Sequence, residues 1–239
     1  MTVLETLQTY WQAYLYNDGS QMSGLAMTLW LLVLSLAIGF AMALVLATAR
    51  VSQYKALSIP VRVYSYVFRG TPLYVQLLLI YSGIYGITFV QKTELLSMFF
   101  RNGFNCAVLA FALNTCAYTT EIFVGAIRNI PYGEVEAARA FGMSWFTLYR
   151  RIILPSALRR ALPMYSNEVI LMLHATSIAF AATVPDLLKV ARDVNAATYQ
   201  PFTAFGIAAV LYLVVSFVLV YLFRIAERKW LAFQAPAGR

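Results

Sequence analysis

The sequence predicts an all-α polytopic membrane protein: five transmembrane helices in one domain, residues 1–239, with the N-terminus outside and the C-terminus inside. Three observations carry this expectation. First, 61% of residues are hydrophobic and only 12% charged, with a mean hydropathy of +0.70, whereas soluble domains have about 45–50% apolar and about 25% charged residues. Second, apolar runs of the length a bilayer needs, about 20 residues, lie near 24–49, 70–91, 104–127, 164–185 and 201–223. Third, 14 of the 18 Lys and Arg residues fall in alternate intervals between those runs, the bias that keeps basic loops inside. The net charge of +8 therefore reports orientation, and no nucleic acid partner is expected.

Residues 1–23 hold Glu5 and Asp18 but no Lys or Arg. Tyr10, Trp11, Tyr14 and Tyr16 suit the headgroup level, where amphipathic rings concentrate. A cleavable signal is not expected, because no basic start precedes a short apolar core. Along the first run Ser35, Gly39, Ala43 and Ala47 recur at every fourth position. Such a stripe lets a second helix approach closely. Thr71-Pro72 reads as the N-cap and first residue of the second span. The stretch 60–68 before it either lies in the interface or extends the span through a break at Arg69-Gly70-Thr71-Pro72. Cys106 and Cys116 share an apolar run without CxxC spacing, which fits buried packing and not a metal site or disulfide. The tail carries Arg224, Arg228, Lys229 and Arg239.

The interval 128–163 holds six arginines and two glutamates. Within it Glu136, Ala137 and Ala138 precede Gly142, and Ile152, Leu154 and Pro155 follow. This reads as a short helix, a bend at Gly142, and a second helix from near Ser144 that stops or kinks at Pro155. Ala137 and Ala138, small and adjacent, would let the first helix approach another protein closely. The charge bias places this elbow inside the cell. None of the four lysines follows a glycine, so the Gly-Lys of a phosphate-binding P-loop is missing. A pump built from this chain would need its ATP hydrolysed elsewhere, and no cofactor is expected on it.

Ionisable groups inside a bilayer are costly and face a cavity or a partner. Glu168 reads as a carboxylate lining a solute path or as a structural partner of Arg69 or Arg159. It and Glu121 are expected at similar depth, with Arg128 two turns along the helix from Glu121 to offset its charge. Thr71, Gln76, Asn114 and Tyr118 are candidate cavity-lining groups. His174 reads as a buried imidazole bonded to backbone, on a different face from Glu168. An intramembrane hydrolase using His174 with Ser177 and a passive channel are the alternatives to a pump.

Glu136-Ala137-Ala138, three residues, Gly142, nine residues, and Ile152-x-Leu154-Pro155 together resemble the EAA loop of ABC importer permeases. Arg69-Gly70-Thr71-Pro72-Leu73 with Val75-Gln76-Leu77, and the runs 114–123 and 195–202, resemble the polar amino acid branch, of the histidine and lysine/arginine/ornithine type. The resemblance implies a type I importer permease fold with the loop inserted into a separate ATPase. It also implies a heterodimer with a similar permease, two ATPase subunits holding ATP and Mg, and a periplasmic binding protein. Asn167-Glu168 is similar to the Asn-Glu of permeases for cationic amino acids, which implies a basic amino acid substrate met by Glu168. One departure is His174-Ala175-Thr176-Ser177, where many relatives have Lys-Asp-Thr-Ser.

Overall fold

The computed structural model describes residues 2–231, so Arg239 of the basic tail lies outside the described residues. Among the described residues twelve α-helices follow one another: α1 (Val3–Leu15), α2 (Gly24–Arg50), α3 (Lys55–Gly70), α4 (Leu73–Leu78), α5 (Thr88–Lys92), α6 (Glu94–Arg101), α7 (Gly103–Arg128), α8 (Tyr132–Ala140), α9 (Trp145–Leu148), α10 (Leu154–Ala175), α11 (Leu187–Thr198) and α12 (Pro201–Trp230). Wider π-helical turns extend α4 through Leu79–Ile84 and join α9 to α10 through Tyr149–Ile153. A tighter 3₁₀ segment, Thr176–Ala182, follows α10. Among the described residues three helices, α2, α7 and α12, are long and apolar enough to cross a membrane, and Leu73–Ile84 is a shorter apolar stretch.

The bundle is built around α7, which packs most extensively against α2 and next against α10. Ser35, Gly39, Ala43 and Ala47 are all buried, so the predicted small-residue stripe is the packed face of α2. At Gly39 the approach leaves no room for a side chain: an added Cβ would run into the Thr115 methyl and come within 3.0 Å of the Ala112 carbonyl. Cys106 and Cys116 are buried and free, in two different apolar clusters along α7. A second apolar cluster joins α2, α7 and α10 at the α8 end of the bundle. A third ties α1 to α11 and α12 at the other end, where the Tyr14 hydroxyl donates to the Ala204 carbonyl at 2.9 Å. By contrast, only 6% of the most apolar window of α12 is buried. Its outer face, with Val214, Phe217 and Val218 exposed, suits hydrocarbon or another subunit.

Local signals set the helix ends. Thr2 and Glu5 form a reciprocal capping box on α1. The Asn102 side chain accepts from the Phe104 and Asn105 amides to start α7, and Asp186 does the same for α11.

Two expectations about helix ends need correction. The second apolar helix does not begin at residue 70. It rises as α3 from Lys55, breaks at 71–72 and resumes as α4 to Ile84, so the break predicted as one option is the one adopted, and residues 85–91 turn away. Thr71 ends α3 and Pro72 caps α4, because the residue before a proline is pushed out of the helical region. Likewise α10 begins at Leu154 and passes through Pro163, so Pro163 is no boundary, whereas the helix from near Ser144 does change form at Pro155, where the π-helical turn Tyr149–Ile153 gives way to α10. Pro155 lies in the first turn, where its missing N–H costs nothing.

Candidate functional site

The break between α3 and α4 leaves carbonyls that no helix amide can reach. Thr71 is extended, at φ −115° and ψ 144°, and side chains take the place of the lost ladder. The Gln76 amide nitrogen donates to the Phe68 carbonyl at 2.8 Å, with the Thr71 carbonyl and hydroxyl at 3.1 and 2.7 Å. The Asn114 amide, from α7, donates to the Phe68 carbonyl and to Gln76 Oε1, both at 3.1 Å. The Tyr118 hydroxyl donates to the Arg69 carbonyl at 3.3 Å. Four predicted residues, Thr71, Gln76, Asn114 and Tyr118, thus converge on one irregular turn at mid-height of α7. Here a cavity of about 500 Å³, lined by Arg69, Gly70 and Thr71 among others, opens beside the turn.

Glu168 projects from α10 toward the same level of α7 and is 6% exposed. Its Oε1 accepts from the Thr115 hydroxyl at 2.9 Å. No ion pair within 4 Å holds it among the described residues: the three there join Arg50 to Glu121, Arg160 to Glu134 and Lys189 to Asp193. Neither Arg69 nor Arg159 is therefore a direct partner.

Glu121 lies elsewhere. Its Oε1 is 3.3 Å from Arg50 Nε on α2, so the offsetting cation comes from a neighbouring helix and not from Arg128. Six residues of α7 separate Thr115 from Glu121, about 9 Å of helix rise, so Glu168 and Glu121 are not at one depth. The expectation of equal depth took Pro163 as the start of a span, whereas α10 begins nine residues earlier. His174 is also not a backbone-bonded buried histidine. It is exposed, its Nε2 is 3.2 Å from Ser216 Oγ on α12, and both line a cavity of about 530 Å³. The Ser177 hydroxyl is spent on the His174 carbonyl at 2.7 Å. As expected, Glu168 and His174 face different neighbours.

The elbow at the other end of α7 has the predicted helix–bend–helix form. Gly142 takes a left-handed φ of +73°, and its amide donates to the Arg139 carbonyl at 2.9 Å. Ser144 caps α9. Glu136 and Ala137 are exposed on α8, while Ala138 is buried beneath it, so the two alanines do not share the outer face. An Arg160–Glu134 pair at 3.4 Å braces α8 against α10. Ile152, Leu154 and Pro155 are half-buried where the π-helical turn meets α10. Phe141, Trp145 and Phe146 are exposed around the bend.

A broken helix at mid-height, a buried carboxylate beside it and a braced elbow are features of a transport protein more than of a catalyst. A family profile, the binding-protein-dependent transport system inner membrane component, matches residues 35–231. The chain belongs to this family. It is a transport subunit of the inner membrane, not an enzyme. It is 63% identical over 236 residues, spanning 99% of both chains, to the histidine/lysine/arginine/ornithine transport system permease protein HisM of Escherichia coli (strain K12). It is 40% identical over 217 residues to the octopine transport system permease protein OccM of Rhizobium radiobacter, covering 91% of this chain and 86% of that one. A solved amino acid ABC transporter with histidines superposes with a TM-score of 0.80 at 33% identity, covering 96% of this chain and 99% of that chain. The inward-facing MetNI methionine transporter shares the fold, with a TM-score of 0.68 at 19% identity over 96% of this chain and 99% of that one.

The sequence named Arg69 at the helix break and as a candidate partner of Glu168, but held no sign of Thr115. Thr115 carries no signal of its own and is defined only by what α10 brings to it.

Proposed function

We propose that this chain is the permease subunit of an ATP-driven importer of basic amino acids: histidine, lysine, arginine and ornithine. The observation that carries this reading is Glu168: a carboxylate buried at mid-height of α7, without an ion-pair partner among the described residues, next to a helix break ringed by Gln76, Asn114, Tyr118 and Thr71. A guanidinium or ammonium ion supplies the missing positive charge through charge-assisted hydrogen bonds. Transporter sites near the bilayer midplane use broken helices in this way. The printed substrates of the 63% identical relative support the same class. Glu121, paired with Arg50, lies further along the path toward the α8 end.

The chain forms one domain that crosses the membrane five times, as α2, α3–α4, α7, α10 and α12, with the N-terminus outside. The elbow bearing Glu136, Ala137, Ala138, Gly142, Ile152, Leu154 and Pro155 docks on an ATPase in the cytoplasm. A homologous permease completes a heterodimer, and two ATPase subunits carry ATP and Mg. A periplasmic binding protein delivers substrate to the outer face. ATP binding draws the elbows together and rocks the bundles between outward and inward openings.

The test is Glu168→Gln in the assembled complex, read as equilibrium binding of arginine and lysine. Losing a charge-assisted hydrogen bond of about 1.5–3 kcal/mol weakens both by roughly tenfold or more. Unchanged affinity removes Glu168 from the site.

A further inference from the structure

The short helix α6 has three faces. At about 100° per residue, Leu96 and Phe100 share one, Leu95, Met98 and Phe99 a second, and Glu94, Ser97 and Arg101 a third. The first is half-buried, with Phe100 packed on the main apolar cluster. The second is bare: Leu95 is 81% and Met98 77% exposed, and Phe89 of the adjoining α5 is exposed too. The third borders a cavity of about 760 Å³ lined by Lys92, Arg101, Gln91, Ser97, Asn102 and Glu94, with Met98 at its edge. Lys92, Arg101 and Glu94 take part in no ion pair within 4 Å among the described residues, so two free cations face one carboxylate. Asn102 spends its side-chain oxygen on the α7 amides and keeps its amide nitrogen as a donor.

α6 ends at Arg101 and α7 begins at Gly103. The bare face therefore sits where a helix long and apolar enough to cross a membrane emerges. A soluble partner that comes and goes would return Leu95 and Met98 to water in every cycle, whereas acyl chains cover them throughout. A helix with an apolar flank beside a basic one lies in the plane of the interface, and its cations attract anionic headgroups. Thr115, which holds Glu168, is twelve residues further along α7, about 18 Å of rise, so this end of the helix is separate from the substrate carboxylate.

We propose that α6 lies in the membrane interface with Leu95, Met98 and Phe99 among acyl chains, and that the adjoining cavity binds the headgroup of an anionic phospholipid through Lys92 and Arg101. Arg101 offers a planar fork to the phosphate and Lys92 a compact charge. Gln91, Ser97 and Asn102 supply hydrogen bonds for the neutral part of the headgroup. Glu94 opposes the phosphate and sets a ceiling on the affinity.

The probe is phosphatidylglycerol with brominated chains, set against brominated phosphatidylcholine, each a minor component of phosphatidylcholine nanodiscs holding the assembled complex. Leu95→Cys carries a bimane fluorophore, and the native Cys106 and Cys116, fully buried, leave the label to position 95. Each basic residue beside an anionic lipid favours it roughly fivefold. With Glu94 offsetting one of the two, brominated phosphatidylglycerol should quench the label at about fivefold lower content than brominated phosphatidylcholine. Lys92→Gln with Arg101→Gln should abolish that preference while both lipids still quench. Glu94→Gln, which removes the opposing charge, should raise it, an effect that damage to the fold cannot produce. Equal quenching by the two lipids in the native background, or a preference unchanged in the Lys92→Gln, Arg101→Gln or Glu94→Gln variants, overturns the headgroup site. Quenching by a water-soluble nitroxide but by neither lipid, or by none of the three, shows that water or a protein partner covers the face and overturns the whole proposal. Inorganic phosphate should act only as chloride of equal ionic strength does; if it alone erases the preference, the cavity takes a free anion and the lipid assignment fails.

Discussion

Thr115 holds Glu168. The threonine hydroxyl donates to the buried carboxylate at 2.9 Å, while the methyl of the same side chain fills the notch left by Gly39 on α2. One residue of α7 therefore sets the position of the α10 carboxylate and the closeness of α2. Asn114, its neighbour in sequence, is turned about 100° around the helix and serves the α3–α4 break instead. Adjacent residues thus link the two halves of the site.

Thr115→Val keeps the shape and removes the donor. A buried acceptor that loses its partner costs about 1–3 kcal/mol. The expected result is a lower melting temperature for the complex and weaker arginine binding, with Thr115→Ser restoring the binding because it keeps the hydroxyl. Equal arginine affinity in the valine and serine variants would show that this bond does not position Glu168.

Gly39→Ala inserts a methyl group where the Thr115 side chain and Ala112 carbonyl already sit. Overpacking of this kind costs about 1–3 kcal/mol. Gly125→Ala is the control, since nothing lies within 4 Å of its added Cβ, and removing a glycine from a helix interior gains about 0.5–1 kcal/mol. The two variants should therefore move the melting temperature in opposite directions.

What was legible in the sequence followed from local rules. The apolar runs, the Ser35–Gly39–Ala43–Ala47 stripe and the bend at Gly142 all depend on periodicity or on one residue's conformational freedom. The same rules also located Thr71, Gln76, Asn114 and Tyr118, because polar groups stand out in apolar helices. What was not legible depends on distant partners. Arg50 is 71 positions from Glu121 and Thr115 is 53 from Glu168, and nothing local announces either pair. Pro163 misleads for a related reason: it reads as a boundary, but α10 carries it through its interior.

Glu121→Gln should separate framework from site. Arg50 and Glu121 are mostly buried, with side chains 10% and 23% exposed. Removing one charge strands the other in a poorly solvated position. The expected outcome is a complex that unfolds at lower temperature yet binds arginine as tightly as wild type. A loss of affinity without loss of stability would instead place Glu121 in contact with substrate.

Gly142 makes the elbow testable without steric damage. Its φ is +73°, and no atom lies within 4 Å of an added Cβ, so Gly142→Ala acts only through backbone strain of about 1–2 kcal/mol. Gly142→Asn should be milder, since Asn visits that region more readily. If the elbow transmits the ATPase stroke, arginine uptake should fall in the order Gly, Asn, Ala while arginine binding to the complex stays constant. Equal uptake in all three would dissociate the bend from coupling.

Asp186 should make stability depend on pH. It precedes α11, outside the apolar runs, and is fully buried. Its carboxylate accepts from the Leu188 and Lys189 amides at 3.1 and 3.2 Å. Burial outweighs those bonds and the nearby Lys189 charge, and pushes the carboxyl from 3.8 up to about 7. The folded form therefore holds its proton more tightly than the unfolded chain. Its contribution to stability is complete below about pH 4, where both states are protonated. It is lost as the pH rises through about 7. Asp186→Asn retains a good helix cap and cannot titrate. The difference in melting temperature between wild type and Asp186→Asn, followed from pH 5 to 8, cancels the groups the two share. Wild type should lose ground to the variant across that interval. A constant difference would mean that the carboxylate is ionised throughout, with the two amide bonds outweighing its burial.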